Sequence, residues 1–199
     1  MNCSIRLATA EDVPAILDIY APFVRDTVIS FEYDVPDIDA FQQRFSKFAK
    51  KFPWFVCEIN GHIAGYSYAH QYHERFAYSW SAECSIYVDS KYHGMRIGQA
   101  LYECLLGALK LQGFMNAFAG VTVPNEKSER LHASFGFEQV GILKNIGFKF
   151  GQWRDVALYA KKISDLPGDP KPPKVIWQVS DMPEFESILQ RAASHVKAG

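Results

Sequence analysis

The residues with the clearest chemical potential lie in the segment "ECSIYVDSKYHGMRIGQALYECLLGALKL", which begins at Glu83. Two glycines, Gly94 and Gly98, stand beside His93 and Arg96 just ahead of a helical pattern. A glycine-bearing turn at a helix start offers free backbone N–H groups and the positive end of the helix dipole. The pattern therefore indicates a phosphate-binding site. The sequence contains neither G-x-x-x-x-G-K-[ST] nor G-x-G-x-x-G, so a P-loop is excluded and a dinucleotide fold is disfavoured. Simple close packing of strand against helix stays as the alternative.

A strand and a helix must position these residues. Polar and apolar residues alternate from Ala82 to Val88, which predicts a strand with Glu83, Ser85 and Tyr87 on its polar face. The helix is predicted from an apolar stripe at helical spacing, formed by Ile97, Leu101, Leu105, Ala108 and Leu109.

The turn "YHGMRIGQAL" resembles the acetyl-CoA loop of the GNAT acetyltransferase superfamily, Gln/Arg-x-x-Gly-x-Gly/Ala at a strand-to-helix turn. On that pattern His93 takes the first position, Arg96 the central glycine and Gly98 the last. The segments "SYAHQYHERFAYSWSAECSIYVDSKY", "NEKSERLHASFGF" and "GFKFGQWRDVAL" are similar, in order and spacing, to the phosphinothricin and methionine-sulfoximine acetyltransferase branch. The resemblance covers residues 3–163.

This resemblance implies a fold and a reaction. The fold is an α/β (α+β) GNAT fold, with a mixed, mostly antiparallel, twisted sheet flanked by helices in a domain of residues 1–163. The reaction is direct transfer of acetyl from acetyl-CoA, a co-substrate, to the α-amino group of a small amino-acid-like acceptor within a ternary complex. Phosphinothricin, methionine sulfoximine and methionine sulfone are the leading acceptors, and a homodimer is expected.

The resemblance also implies roles for individual residues. Glu83 matches the family's general base, and His132 matches a histidine that acts as general acid, or as base in place of Glu83. Coenzyme contacts are expected at Tyr87, Val88, Asp89, His93, Gly94, Met95, Arg96, Ile97, Gly98, Gln99, Asn125 and Ser128. We expect Arg96 in the α region with its side chain pointing outward, where any side chain fits and the charge lies near the phosphates.

Acceptor contacts are expected from three parts of the chain. They are Phe31, Arg75, Tyr78 and Trp80, together with Lys149 and Trp153 of a segment that borders the site in this branch, in one reading from a neighbouring subunit. The guanidinium of Arg75 suits the α-carboxylate of an amino acid.

Composition limits the other possibilities. The chain has 199 residues, 48% of them hydrophobic, and a net charge of −1, which describes one globular domain and argues against a nucleic-acid partner. No apolar run reaches the length of a membrane span, and four scattered cysteines without a C-x-x-C pair indicate reduced thiols in a cytoplasmic protein. His62, His70 and His73 lack partners at useful spacing, so no metal site is predicted. Cys84 on the apolar face is interpreted as inert core.

Local signals place the remaining elements. Asn60-Gly61 predicts a type I′ hairpin, Asp37 begins a helix, and Asn125 caps a short helix that Gly136 ends. Three strands, 137–141, 146–150 and 156–161, are predicted to close the sheet. Residues 164–199 read as a Pro-rich linker and an amphipathic helix capped by Asp181, which must dock on the same subunit or on a partner.

Two alternatives to the proposed acetyl transfer to amino acids remain open. One is a transferase for protein N-termini or polyamines, which would not need a cation such as Arg75 for the acceptor. The other is a non-catalytic acetyl-CoA-binding sensor whose tail helix contacts a partner; the presence of both Glu83 and His132 weakens this reading.

Overall fold

The computed structural model describes residues 2–197, which form a seven-stranded sheet and five α-helices. In chain order the elements are β1 (Cys3–Leu7), α1 (Val13–Asp26), α2 (Ile38–Ala49), β2 (Trp54–Ile59), β3 (His62–Gln71), β4 (Ser81–Val88), α3 (Ile97–Gln112), β5 (Asn116–Val123), α4 (Glu126–Ser134), β6 (Glu138–Lys149), β7 (Gln152–Lys162) and α5 (Pro183–Ser194). The strand order is β1-β2-β3-β4-β5-β7-β6. All neighbouring pairs are antiparallel except β4 with β5, which confirms the predicted mixed, mostly antiparallel sheet.

The turn and cap chemistry read from the sequence is present. Asn60 and Gly61 both have positive φ (50° and 84°), as a type I′ hairpin turn between β2 and β3 requires. The Asp37 side chain accepts a hydrogen bond from Ala40 N (2.7 Å) at the start of α2. Asn125 Oδ1 accepts from Ser128 N (3.2 Å) at the start of α4.

Helices cover both faces of the sheet and create two cores. On one face α3 inserts its apolar stripe, with Leu101, Leu105 and Leu109 fully buried against the sheet. On the other face α1 and α2 pack against an aromatic surface that includes Trp54 and Tyr66. The alternation predicted for β4 therefore sends Ala82 and Cys84 toward α3 and turns Glu83 to the opposite face.

The parallel pair β4–β5 opens along its length. Register pairs join Ser81 to Asn116, Ala82 to Ala117 and Glu83 to Phe118. Beyond Glu83, β4 runs on to Val88 and β5 to Val123, and within residues 2–197 no further β4–β5 pair forms. The two strands thus diverge, and they leave a cleft whose closed end is marked by Glu83.

The prediction of three closing strands was wrong. The first two are one strand, β6, whose register with β7 shifts between Leu143 and Gly147. Asn145 has a positive φ of 51° at this irregularity, and its N–H donates to Asp155 (2.8 Å). The polar residues of a bulge therefore resembled a loop in the sequence.

The C-terminal tail docks on the same chain. Helix α5 buries Phe185, Leu189 and Ala192 against α3 and β1, which answers where its predicted apolar stripe is covered. The helix begins one residue later than a cap at Asp181 would give, with Met182 as N-cap and Pro183 in the first turn. The structure also contains no helix, within the described residues, that is long and apolar enough to cross a bilayer.

Candidate active site

A cavity of about 1250 Å³ lies at the open end of the β4–β5 cleft. Its walls are the end of β4, the turn before α3, the first turns of α3 and α4, and one side of α1. Eleven of the twelve residues predicted to contact the coenzyme line it: Tyr87, Val88, Asp89, His93, Gly94, Arg96, Ile97, Gly98, Gln99, Asn125 and Ser128. Met95, the twelfth, is buried beneath the turn.

The start of α3 presents unpaired donors to this cavity. The N–H of Ala100 donates to Arg96 O (3.1 Å), which closes the first turn of the helix. Helix geometry leaves the earlier N–H groups, those of Ile97, Gly98 and Gln99, without an intrahelical acceptor. Together with the helix dipole, these N–H groups have the arrangement that suits an anion. A Cβ added at Gly98 would lie 3.8 Å from its nearest neighbours, which is ordinary van der Waals contact, so packing does not require a glycine at this position.

The expectation that Arg96 is helical was wrong. Arg96 is the N-cap of α3 and has φ 62° and ψ 16°, the left-handed region. This conformation explains why the family pattern has a glycine there, because an L side chain is strained in it by about 1–2 kcal/mol. The Arg96 side chain is exposed, so its charge stands at the cavity mouth.

One backbone donor of β4 faces the cleft. Asp89 N donates to Ala64 O (3.0 Å), so this N–H points toward β3. Because successive residues of a strand point their N–H groups to alternate sides, Tyr87 N–H also points to β3 and Val88 N–H points to the opening. Of these three residues, each expected to contact the coenzyme, Val88 has its N–H directed into the opening.

Glu83 occupies the closed end of the cleft with a partly exposed side chain. Its Oε1 lies 3.9 Å from the position of a Cβ added at Gly120 on β5, so the missing side chain there keeps the carboxylate accessible. Its Oε2 lies 3.9 Å from Nε2 of His70, the residue directly opposite on β3. A carboxylate held at this point, with room on the side of β5, can accept a proton from a bound amine or water.

His132 lies in an aromatic cage behind α4. It is 3% exposed and packs against Tyr102, Phe137 and Tyr159. Its Nδ1 donates to Ser128 O (2.7 Å), and burial lowers the pKa of the imidazole. A neutral ring with its proton on Nδ1 can accept a proton at Nε2 but has none to give to a thiolate. The geometry therefore opposes the general-acid role.

The acceptor residues predicted from β3–β4 fall into two groups. Arg75 and Tyr78 lie in the exposed connection, and Tyr78 contacts Tyr72 (6.0 Å between ring centroids). Tyr72 stacks on Phe118 (4.3 Å), the cross-strand partner of Glu83, so this connection adjoins the carboxylate. Trp80 is placed elsewhere, because its Nε1 donates to Lys171 O (2.8 Å) in the tail.

Lys149 does not reach the cleft as predicted. It is 2% exposed, and its ammonium donates to Val24 O (2.6 Å) and Ser30 O (2.7 Å). Burial lowers the pKa of this ammonium. The two bonds fasten the β6–β7 hairpin to the last turn of α1 and to the α1–α2 loop, so the role of Lys149 in this structure is to hold these segments together.

Two other predicted acceptor residues lie near Lys149. A Cβ added at Gly147 would lie 2.6 Å from Phe31 Cζ, so the Phe31 ring rests on the backbone of β6. Trp153 is 63% exposed and packs on Phe148. The structure thus gathers Phe31 and Trp153 around the hairpin that Lys149 anchors.

Sequence reasoning missed two polar residues on the Glu83 face. His70 was weighed only as a metal ligand, and among residues 2–197 no cluster of three metal-binding side chains forms. Arg154 lies on the same face as Glu83 by the registers of β5 and β7, and its Nε is buried without a hydrogen bond inside the described range. Only the strand register could have found both, and the register is set by long-range pairing.

Cys84 is buried, and burial raises the pKa of its thiol, in keeping with inert core.

Comparison with known proteins agrees with this geometry. Residues 5–158 match the Acetyltransferase (GNAT) domain, so the chain belongs to the GNAT acetyltransferase family. It is 31% identical to phosphinothricin N-acetyltransferase of Streptomyces viridochromogenes over 175 residues (88% of this chain and 95% of the relative). It is 30% identical to L-methionine sulfoximine/L-methionine sulfone acetyltransferase of Pseudomonas aeruginosa over 158 residues (78% and 92%).

A solved structure shows the same fold. The GNAT superfamily phosphinothricin acetyltransferase from Sinorhizobium meliloti, in complex with acetyl-CoA, superimposes with a TM-score of 0.81 at 30% identity and covers 88% of this chain and 99% of its own. The predicted family and fold are confirmed, and the protein is an acetyltransferase.

Proposed function

We propose that this protein is an acetyl-CoA-dependent N-acetyltransferase that modifies the α-amino group of a small amino-acid-like acceptor. The observation that carries the proposal is the divergence of β4 and β5 beyond Glu83, which opens a cleft toward a large cavity at the start of α3. Phosphinothricin, methionine sulfoximine and methionine sulfone are the leading acceptors, because relatives at 30–31% identity carry those names.

The chain's residues suit the coenzyme at two points. The N–H groups of Ile97, Gly98 and Gln99 would hold the diphosphate, with the exposed Arg96 adding charge at the rim. The pantetheine arm would lie in the cleft, where Val88 N–H can donate to the thioester oxygen and stabilise negative charge that develops there. The acetyl group would then lie between β4 and β5, on the way to Glu83.

The reaction needs one base besides the two substrates. Glu83 takes a proton from the acceptor's ammonium, directly or through water, and the free amine attacks the thioester carbon as the C–N bond forms. The C–S bond then breaks, and the departing sulfur receives the second proton of the same nitrogen. Because the sulfur receives its proton from the nitrogen, no separate general acid is needed. This agrees with a buried, neutral His132.

Guanidinium side chains would supply acceptor specificity. Arg75 in the exposed β3–β4 connection and Arg154 on the Glu83 face of the sheet each suit a carboxylate or a phosphinate. Phe31, Tyr78 and Trp153 supply apolar walls around them. An acceptor with an anionic head and a short polar side chain fits this combination better than a polycationic amine.

A thiol-release screen tests the proposal. Acetyl-CoA is offered with amino acids, with their phosphinyl and sulfone analogues, with spermidine and with peptides that have free N-termini. We expect turnover with the analogues, and Arg75→Ala should raise KM for them while leaving any spermidine rate unaffected. Preferential turnover of spermidine or peptides would favour the alternative transferases. Tight acetyl-CoA binding with background turnover for every amine would favour a non-catalytic sensor.

We also propose that two copies associate through β6. Among residues 2–197 this strand is the last of the sheet and has no neighbour on its outer edge, and Val140 (60% exposed), Ile142 and Leu143 are exposed along it. An apolar edge strand that pairs with its own copy around a two-fold axis would satisfy its backbone and cover these side chains. Light scattering should give a dimer mass that Ile142→Glu lowers; a wild-type monomer at micromolar concentration would contradict the proposal.

We also propose that the enzyme is cytoplasmic. Its buried thiols, among them Cys57 and Cys104, suit a reducing compartment.

A further inference from the structure

The C-terminal tail touches the turn that opens α3. Lys197 N donates to Met95 O (3.0 Å), and Val196 beside it is buried (8% exposed). Met95 immediately precedes Arg96, the left-handed residue at the start of the phosphate-binding turn. The GNAT domain match ends at residue 158, so this contact comes from a part of the chain that the family match does not cover.

The tail is fastened to both ends of α3. At the C-terminal end, Gln112 Nε2 donates to Lys174 O (2.7 Å), and Lys174 N donates to Gln112 O (2.7 Å). Near the N-terminal end, Glu103 accepts from Arg191 Nε (2.6 Å) and from His195 Nδ1 (3.0 Å). These bonds fix where the last residues of the tail meet the turn.

Close helix packing holds the tail between these two points. A Cβ added at Gly107 in the middle of α3 would lie 2.9 Å from Ile188 Cδ1, so the absence of a side chain lets α5 approach closely. Phe185, Leu189 and Ala192 are buried along the same contact. A cavity of about 320 Å³ beside it is lined by Arg96 and Gln99 of the turn and by His195 of the tail, so the two segments share a wall.

A planar peptide links the tail contact to the coenzyme site. Met95 C=O and Arg96 N–H belong to one trans peptide unit and point in opposite directions. A donor from the tail on the carbonyl therefore sets the direction of the Arg96 N–H, the one that precedes the free donors of α3. It also holds Arg96 in a conformation that a non-glycine residue keeps only when its surroundings impose it.

We infer that the C-terminal tail is a positioning element for coenzyme binding, and that Lys197 N–H is the group through which it acts on the Met95–Arg96 peptide. The inference rests on the proposed acetyl-CoA site. It assigns to residues 164–197 a role inside their own subunit, in place of the partner contact that a free amphipathic helix would suggest.

A matched pair of variants tests the inference. Lys197→Pro removes the donor, and Lys197→Ala keeps it. Binding of coenzyme A is measured by calorimetry, and KM for acetyl-CoA and for the acceptor is measured with the full chain. The loss of one hydrogen bond whose free energy is coupled to coenzyme binding corresponds to a Kd weakened by up to roughly tenfold. We expect that weakening, with a parallel rise in KM for acetyl-CoA, only in the proline variant, while kcat and the acceptor KM stay within about twofold.

The results that would contradict a role for the tail differ from those that would refute the proposed function. Equal coenzyme A affinity in both variants, or equal weakening in both, would overturn the inference. If the proline variant does not fold, a chain ending at Val196, which keeps the buried Val196 and the bond from His195 to Glu103 but lacks the Lys197 N–H, is measured in its place against a chain ending at Lys197. Failure of the unaltered protein to bind coenzyme A would refute the proposed function itself.

Discussion

Lys149 offers the sharpest test of whether a buried charge in this protein supports the fold or binds the acceptor. Its ammonium reaches Val24 O and Ser30 O at 2.6 and 2.7 Å and is 2% exposed. Lys149→Met keeps most of the side-chain volume but removes both donors. The β6–β7 hairpin then loses two of the bonds that hold it to α1 and to the α1–α2 loop.

The size of the effect follows from the two hydrogen bonds. Each bond from a charged donor contributes about 1.5–3 kcal/mol, and methionine leaves both carbonyls without this donor. Removing a buried charge returns part of that loss. We therefore expect the free energy of unfolding to fall by about 2–4 kcal/mol. At about 2–4 °C per kcal/mol for a chain of this length, the Tm should drop by about 4–16 °C.

Thermal unfolding followed by circular dichroism measures the drop, with Trp153→Ala on the same hairpin as the control. Trp153 is 63% exposed, so its removal should shift the Tm by less than a few degrees. Steady-state kinetics well below the Tm complete the test. An unchanged Tm together with a large rise in acceptor KM would show that Lys149 binds substrate and that the structural role is incorrect.

Three further changes give separate outcomes. Arg96→Gly should leave the free energy of unfolding within about 1 kcal/mol of the wild-type value, because relief of the left-handed strain offsets the added chain entropy. Arg96→Val should lower the free energy of unfolding, measured in urea, by about 1–2 kcal/mol more. Equal effects of the two variants would contradict the strain argument. The hydrogen bond from Arg6 lowers the pKa of the Asp12 carboxyl below its ordinary value of 3.8. The pair's contribution to stability is therefore complete above pH 3.8 and is lost as the pH falls through the pKa of the folded protein. Asp12→Asn should remove this acid dependence, and a pH–stability profile equal to that of the wild type would contradict the role of the pair. Gly147→Ala should displace the Phe31 ring, lower the free energy of unfolding by about 1 kcal/mol and raise KM for the acceptor but not for acetyl-CoA. A rise in KM for acetyl-CoA instead would show that Phe31 acts on coenzyme binding and not on acceptor binding.

Local signals in the sequence predicted local structure well. Asn60-Gly61 gave the hairpin, Asn125 and Asp37 gave helix starts, and the alternation around Glu83 gave the correct face of β4. These features depend on residues a few positions apart, where backbone preferences act directly. The same holds for the turn before α3, whose glycines and helix start were both visible.

Features that depend on distant pairing were not predictable. Lys149 reads as a free cation in its own segment, and only the approach of the α1–α2 loop more than a hundred residues away buries it. Arg154 reaches the Glu83 face through the registers of β5 and β7. The bulge in β6 resembles a loop because the carboxylate that stabilises it, Asp155, lies on the next strand.

The same limit applied to the turn itself. The sequence shows that Arg96 replaces a glycine of the family pattern, but its left-handed backbone follows from how the turn joins β4 to α3. The tail contact from Lys197 to Met95 joins residues about a hundred positions apart. A pattern of residue types does not encode such a distance, so the influence of the tail on the turn appears only in the fold.

The central claim is that the β4–β5 cleft brings an acetyl thioester to a carboxylate base at Glu83. The most direct measurement is the pH dependence of kcat/KM for the acceptor in Glu83→Gln, with Glu138→Gln, an exposed glutamate at the start of β6, as the matched control. The Glu83 variant should lose about 10²–10⁴-fold at low pH and recover part of that loss as the amine deprotonates without help, while the control follows the wild type. An unchanged pH–rate profile in Glu83→Gln would remove Glu83 from the reaction and contradict the account.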